Sequence, residues 1–411
     1  MAAIKRPLEG VKVVELATFV AAPCCGRFLC DLGAEVIKVE AFQGDPLRYT
    51  AVNEGRPAGE LENTSFDLEN AGKKCVCLNI KSRAGREALE KLIARADILV
   101  TNWRQNALER AGLDYESLKK KYPRLVFGLV SGYGEKGPDK DLPGFDFTAY
   151  FARGGILGTM FDKDNLPMSA IPGFGDHQVG MNLAAGILAA LYRARETGEG
   201  DKVVASLFHA AIWDVAIMLQ SAQYGHPSTQ YPISRKHMAN PLQVAHKTKD
   251  NRWLQIAVPA YDALYPKFME AFGRPDLIGS EKFYPQSALQ AHLEEFYEIL
   301  REGFAQKELR EWVEIFTKAD LPFAVAQTWN ELLADEQAWA SDCFYAMEYP
   351  TGATRTLVRP PVLFEDAGLP PYNRGPYLGE HTEAVLAELG YSQQEIQAMI
   401  EAGDAKPHKP E

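Results

Sequence analysis

A carboxylate framed by glycines, Gly175-Asp176-His177-Gln178-Val179-Gly180, is the segment of this chain best suited to chemistry. The preceding Ile171-Pro172-Gly173-Phe174 is interrupted by Pro and Gly and cannot continue a regular element. Residues 181–191 (MNLAAGILAAL) are small and apolar, and the chain then turns basic at Arg193 and Arg195. This pattern predicts a buried helix with Asp176 in its first turn. By residue type Asp176 is either an N-cap that accepts from the free N–H groups of that turn or a covalent nucleophile reached through the open backbone of its glycines. Spacing alone leaves both readings open. His177 offers a base, but successive helical residues point about 100° apart, so it need not face the same reacting atom.

Other chemistries are disfavoured. The six cysteines, Cys24, Cys25, Cys30, Cys75, Cys77 and Cys343, include no pair with the two-residue gap of a zinc or redox motif. They read as small buried hydrophobes in a reducing cytosol. His209, His226 and His246 form no metal-ligand spacing, so no metal is expected. The loop Ala17-Thr18-Phe19-Val20-Ala21-Ala22-Pro23 follows the first predicted strand and contains no glycine. It lacks the G-x-G-x-x-G turn that brings a backbone against pyrophosphate, which argues against a nicotinamide or flavin enzyme of the usual type.

The elements that position Asp176 alternate. Residues 11–16, 35–40, 75–80, 97–101 and 124–130 read as strands, and 23–33 and 84–96 as helices. Such alternation implies an α/β fold with a parallel sheet covered on both faces and ligands beyond the carboxyl ends of its strands. Residues 220–250 read as linker and loop. A second α/β segment follows, with a strand at 253–258 and helices at 261–272, 293–304 and 309–318; the chain turns extended at 320–325 and helical and polar over 378–403. The expected division is 1–215, 216–330 and 331–411. The 411 residues are 46% hydrophobic and 24% charged, as in ordinary globular enzymes. A net charge of −11 argues against nucleic acid as a partner. No apolar run is long enough to span a membrane, and the opening MAAIKRPLEG predicts no secretory signal.

Several segments together resemble the class III CoA-transferases, the formyl-CoA and carnitine CoA-transferase family. They are the opening L-x-G-V-K-V-V-E-L with Ala22-Pro23, Gly33-Ala34-Glu35-Val36-Ile37-Lys38-Val39-Glu40, Gly44-Asp45-Pro46-Leu47-Arg48, Asn79-Ile80-Lys81, Asn102-Trp103-Arg104, Ser131-Gly132-Tyr133-Gly134, the Gly175-Asp176 entry, Thr197-Gly198-Glu199-Gly200 and Leu378-Gly379-Glu380-His381-Thr382. Residues 45–51, 137–146 and 335–340 resemble the branch that moves CoA onto (R)-2-hydroxy acids in anaerobic amino-acid fermentation.

The resemblance implies a Rossmann-like large domain with an inserted smaller α/β domain, two such subunits interlocked as a cytoplasmic homodimer, and no permanently bound cofactor. It implies acyl-CoA and a 2-hydroxy acid as substrates and Asp176 as the nucleophile. Positions matching the family's CoA contacts are Val20, Ala21, Leu78, Lys81, Asn102, Trp103, Arg104, Arg110, Gly132 and Tyr133, with Arg104 and Arg110 as phosphate ligands. Val20 stands where formyl-CoA transferase has Gln, and residues 240–244 lack that enzyme's glycine run, so a bulkier, more apolar acyl group is expected than oxalate. The main alternative on this fold is an α-methylacyl-CoA racemase. Its catalytic His is replaced here by Phe145, which cannot carry a proton. A CoA-binding regulator without chemistry is the other alternative, which the Asp176 frame disfavours.

Overall fold

The computed structural model describes residues 6–368, 370 and 373–409 and divides the chain into two compact units. The first comprises Met1–Gly155, Ala170–Asp214 and Glu336–Glu411; the second comprises Ile156–Ser169 and Val215–Asp335. Residues 156–169, which the sequence reading left in the first segment, thus cluster with the second unit.

The first unit is built on a six-stranded parallel sheet: β1 (Lys12–Leu16), β2 (Glu35–Glu40), β3 (Lys74–Cys77), β4 (Ile98–Thr101), β5 (Val126–Ser131) and β6 (Lys202–Ser206). The spatial order is β3-β2-β1-β4-β5-β6, so the direction of winding reverses between β1 and β4. Register is continuous through the centre, with Val14 paired to Ile37 on one side and Leu99 on the other. One face carries a core of Leu89, Leu92, Ile93, Leu99, Leu108 and Val385. The helices Ala21–Asp31 and Phe174–Thr197 pack against each other and against the sheet.

The Glu35–Glu40 strand forms over the residues its alternation predicts. Period two in an α/β sheet does not mean one wet face, however: Lys38 and Glu40 are buried, as are Val36, Ile37 and Val39. Their charges are met internally. Lys38 Nζ lies 2.9 Å from Glu15 Oε1 and 2.9 Å from Asp45 Oδ2, Lys73 Nζ lies 2.7 Å from Glu15 Oε2, and all four side chains are fully buried.

The second unit has an antiparallel sheet of β7 (Ala245–Lys247), β8 (Trp253–Ile256) and β9 (Phe323–Val325). Its helices Tyr261–Phe272, Leu293–Phe304 and Leu309–Lys318 coincide with the predicted ones residue for residue. They close on an aromatic core in which Trp312 stacks on Phe272 and Phe316, and its indole N–H donates to the Phe304 carbonyl. The first unit also carries a hairpin, β10 (Phe344–Glu348) with β11 (Thr354–Val358), and the helices Thr382–Glu388 and Gln393–Glu401. The sequence reading missed the hairpin, and it drew the two C-terminal helices as one stretch.

Candidate active site

The loops after β1, β4 and β5 all emerge at the carboxyl edge of the sheet, around the point where its winding reverses, which is where open α/β sheets bind ligands. Two of these loops are tied together. Asn102, just beyond β4, donates its amide to the Thr18 carbonyl (2.8 Å) and accepts from the Thr18 N–H (3.3 Å). After β5 the chain doubles back so tightly that a Cβ on Gly132 would lie 2.6 Å from the Gly144 backbone, so both crossing positions need glycine. These loops enclose a cavity of about 600 Å³ lined by segments 18–21, 102–106, 129–136 and 140–146 together with Asp176 and Leu207; Tyr133 is the one position in those segments that does not contribute.

Asp176 is not a cap. The helix runs Phe174–Thr197 with Gly173 as its N-cap, φ +86°, and Asp176 lies in the first turn. Capping comes from another segment: Asp146 is buried, and its Oδ1 accepts from the Gly175 N–H at 3.0 Å. Gly175 is glycine for packing, not for substrate access. A Cβ there would lie 2.2 Å from the Tyr150 ring and 2.5 Å from Asp146 Oδ1. The Asp176 carboxyl makes no hydrogen bond among the described residues, and burial first, then the charges of Asp146 and Glu69, push its pKa up to about 7. His177 opposes that rise.

His177 is not part of the cavity lining. Its Nε2 is 2.8 Å from Oε1 of buried Glu69. Burial works against the charged ring, but the Glu69 hydrogen bond and charge prevail and its pKa is raised. Cys24, Glu69 and His177 bring three potential ligand atoms within 4.8 Å of one another, a grouping from three helices that sequence spacing did not reveal. Burial, followed by the charge of Glu69, raises the Cys24 thiol well above its ordinary range, so it remains a thiol and is no rival nucleophile.

The sequence candidates divide. Val20, Ala21, Asn102, Trp103, Arg104 and Gly132 line the cavity with Asp176. Leu78, Lys81, Arg110 and Tyr133 do not. Leu78 is sealed in the core, Lys81 and Arg110 are exposed, and the Tyr133 ring packs against Phe208. Sequence reasoning missed Phe19, Lys136, Lys140 and Asp146, all of which contribute to the lining. Lys136 stood just before the 137–146 segment, and Lys140 and Asp146 lay inside it, read there only for its resemblance. Phe19 gave no signal, since it adopts φ +62°, a left-handed conformation that costs a bulky residue about 1–3 kcal/mol.

An ionised Asp176 in this setting is a desolvated carboxylate able to attack a bound carbonyl, so activity should follow its titration. We expect kcat/KM to climb about ten-fold per pH unit below about 7 and level off above it. Asp146→Asn removes the larger of the two neighbouring negative charges while leaving an oxygen to accept from Gly175. The limb should then move to lower pH, because loss of a like charge makes ionisation easier. A limb that stays in place would remove the Asp146 charge from the control of Asp176.

The chain matches the CoA-transferase family III model over residues 8–382. It is 54% identical over 402 residues to cinnamoyl-CoA:phenyllactate CoA-transferase of Clostridium sporogenes, covering 98% of each chain. It is 45% identical over 389 residues to (R)-2-hydroxy-4-methylpentanoate CoA-transferase of Clostridioides difficile, covering 95% of this chain and 97% of that one. Among solved structures, a CAIB/BAIF family protein from Brucella suis superposes with a TM-score of 0.79 at 30% identity, over 94% of this chain and 100% of the other. Fold and sequence thus agree, and the chain belongs to CoA-transferase family III and is a CoA-transferase.

Proposed function

We propose that this enzyme moves CoA from an acyl-CoA, such as an enoyl-CoA, to an apolar (R)-2-hydroxy acid, with Asp176 as covalent carrier. The observation that carries the reading is a carboxylate, without a hydrogen bond among the described residues, lining a cavity that also holds Arg104, Lys136 and Lys140. The cations suit CoA phosphates, and the carboxylate suits acyl exchange. The substrates named for the two clostridial relatives support the acceptor class.

The steps balance without water. Asp176 attacks the donor thioester carbonyl, the C–S bond breaks, and a mixed anhydride and CoA thiolate result. The thiolate attacks the aspartyl carbonyl, releasing the donor carboxylate and leaving an aspartyl-CoA thioester. The acceptor carboxylate attacks that thioester and expels the thiolate, forming a second anhydride. Thiolate attack on the acceptor carbonyl then releases the new acyl-CoA and restores Asp176. The hydroxyl of the acceptor takes no part. Each tetrahedral intermediate needs N–H donors, and the first-turn N–H groups of the Ala21–Asp31 helix, at the cavity wall, have no partner within their own helix. Racemase chemistry lacks its second proton-transfer group, because Phe145 occupies that position.

By the same family likeness, the second unit is read as an inserted small domain and the active form as an interlocked homodimer. The free state of all six cysteines supports a reducing, cytosolic setting, and none of the helices is long and apolar enough to cross a membrane among the described residues.

A panel of acceptors with one acyl-CoA donor tests the reading. With each buried CH₂ worth roughly 0.8 kcal/mol, 2-hydroxyisocaproate should exceed lactate by about 2.4 kcal/mol, or ~50-fold in kcat/KM. Phenyllactate should also surpass lactate, and oxalate should be poor. Oxalate or lactate outperforming both larger acids would overturn the acceptor class.

A further inference from the structure

Three consecutive residues after β1 are each held by buried or interior polar groups. Lys38 Nζ donates to the Ala17 carbonyl at 2.8 Å. Asn102 takes both backbone groups of Thr18. The Phe19 N–H donates to Asp45 Oδ1 at 3.0 Å, and the same oxygen accepts from the Leu47 N–H. Asp45 is itself fully buried and paired with Lys38. So much fixed polarity is spent on a loop in which Phe19, the last of the three, has φ +62°. Glycine or asparagine would adopt that conformation cheaply.

The ring gains nothing in the core to offset this. Phe19 is 39% exposed and lines the cavity that contains Asp176. Strain of this kind, over-determined by its surroundings, marks a residue held for a ligand. The position of the loop narrows which part of the ligand. The neighbouring Val20 Cγ1 would lie 3.8 Å from a Cβ on Gly173, the N-cap of the helix whose first turn bears Asp176. The loop therefore abuts the reacting end of the cavity. The cations Arg104, Lys136 and Lys140, without an ion pair among the described residues, belong to other loops.

We infer that Phe19 is a specificity-determining residue: its ring, carried on a backbone that Asp45 holds, is the platform on which the apolar side chain of the transferred acyl group rests. This rests on the acceptor class proposed above. An aromatic or branched side chain packs on such a ring, whereas the methyl of lactate is too short to cover it.

The test compares lactate, 2-hydroxyisocaproate and phenyllactate against one acyl-CoA donor in the full-length enzyme carrying Phe19→Asn or Phe19→Tyr. Asparagine tolerates the left-handed backbone, so the loop keeps its course while the ring is lost. The ratio of two acceptors against a common donor cancels changes in the donor half-reaction. In Phe19→Asn, kcat/KM for phenyllactate and 2-hydroxyisocaproate should fall about ten-fold relative to that for lactate. Phe19→Tyr, which keeps the ring, should retain most of the preference. The melting temperature of Phe19→Asn should equal or exceed that of the unaltered enzyme, since strain is relieved. Equal losses for all three acids, or an unchanged preference, would overturn the assignment of Phe19 while leaving the acceptor class standing. Failure of the unaltered enzyme to use any of the three acids would overturn both.

Discussion

Asp176→Asn and Asp176→Ala should lower kcat for CoA transfer by on the order of 10³-fold or more, because in the proposed mechanism the carboxylate is the reaction path, not one contact along it. Incubation with an acyl-CoA and hydroxylamine or borohydride should trap an aspartyl adduct in the unaltered enzyme and none in the variants. Loss of fold is excluded by a second readout of definite sign. The folded pKa of Asp176 is raised to about 7, first by burial and then by Asp146. A carboxyl raised in this way opposes folding once pH exceeds its unfolded value, about 4, and the penalty is complete above pH 7. Asp176→Asn lacks that penalty, so it should melt above the unaltered enzyme at pH 8. The gap should close as pH falls towards 4. A tenth of normal activity surviving in Asp176→Asn would sink the covalent mechanism. An inactive variant that melts lower at pH 8 would point instead to a structural role for the carboxylate.

How far the sequence could anticipate this site depends on the kind of signal each residue gives. Glu35–Glu40 and the helices Tyr261–Phe272, Leu293–Phe304 and Leu309–Lys318 were legible because periodicity is a property of the chain itself. Asp176 was legible as a residue in a frame, but its cap reading falls only once Asp146 is seen capping the helix from 29 residues away. The glycines around it were misread, since only coordinates reveal that Gly175 yields to the Tyr150 ring. Phe19 was illegible for a physical reason. Its left-handed backbone is imposed by Asp45 and Asn102, which are distant in sequence, against its own preference. Arg110 and Lys81 show the converse. Arg110 was expected on a phosphate and Lys81 on CoA, yet residue type carries no direction, and neither lines the cavity.

The buried charges beneath the site lead to the other large effect. Glu15, Lys38, Lys73 and Asp45 sum to zero charge, and each is fully buried. Burial alone would strip the proton from Lys38, but Glu15, Asp45 and Glu40 hold its pKa above the ordinary lysine value. Lys73, with burial outweighing Glu15, is lowered instead. Lys38 is thus the firmer cation of the two, and it is the one ion-pair partner of Asp45 among the described residues. Lys38→Met leaves Asp45 buried and uncompensated, which should cost about 3–5 kcal/mol of stability, read as a lowered urea midpoint. Lys38→Met combined with Asp45→Asn removes both charges and keeps an amide oxygen for the Phe19 and Leu47 N–H groups. Part of the loss should therefore return in the double variant, since a neutral pair escapes the penalty of an orphaned charge. An intact midpoint in Lys38→Met would mean that water reaches the cluster and offsets the lost charge.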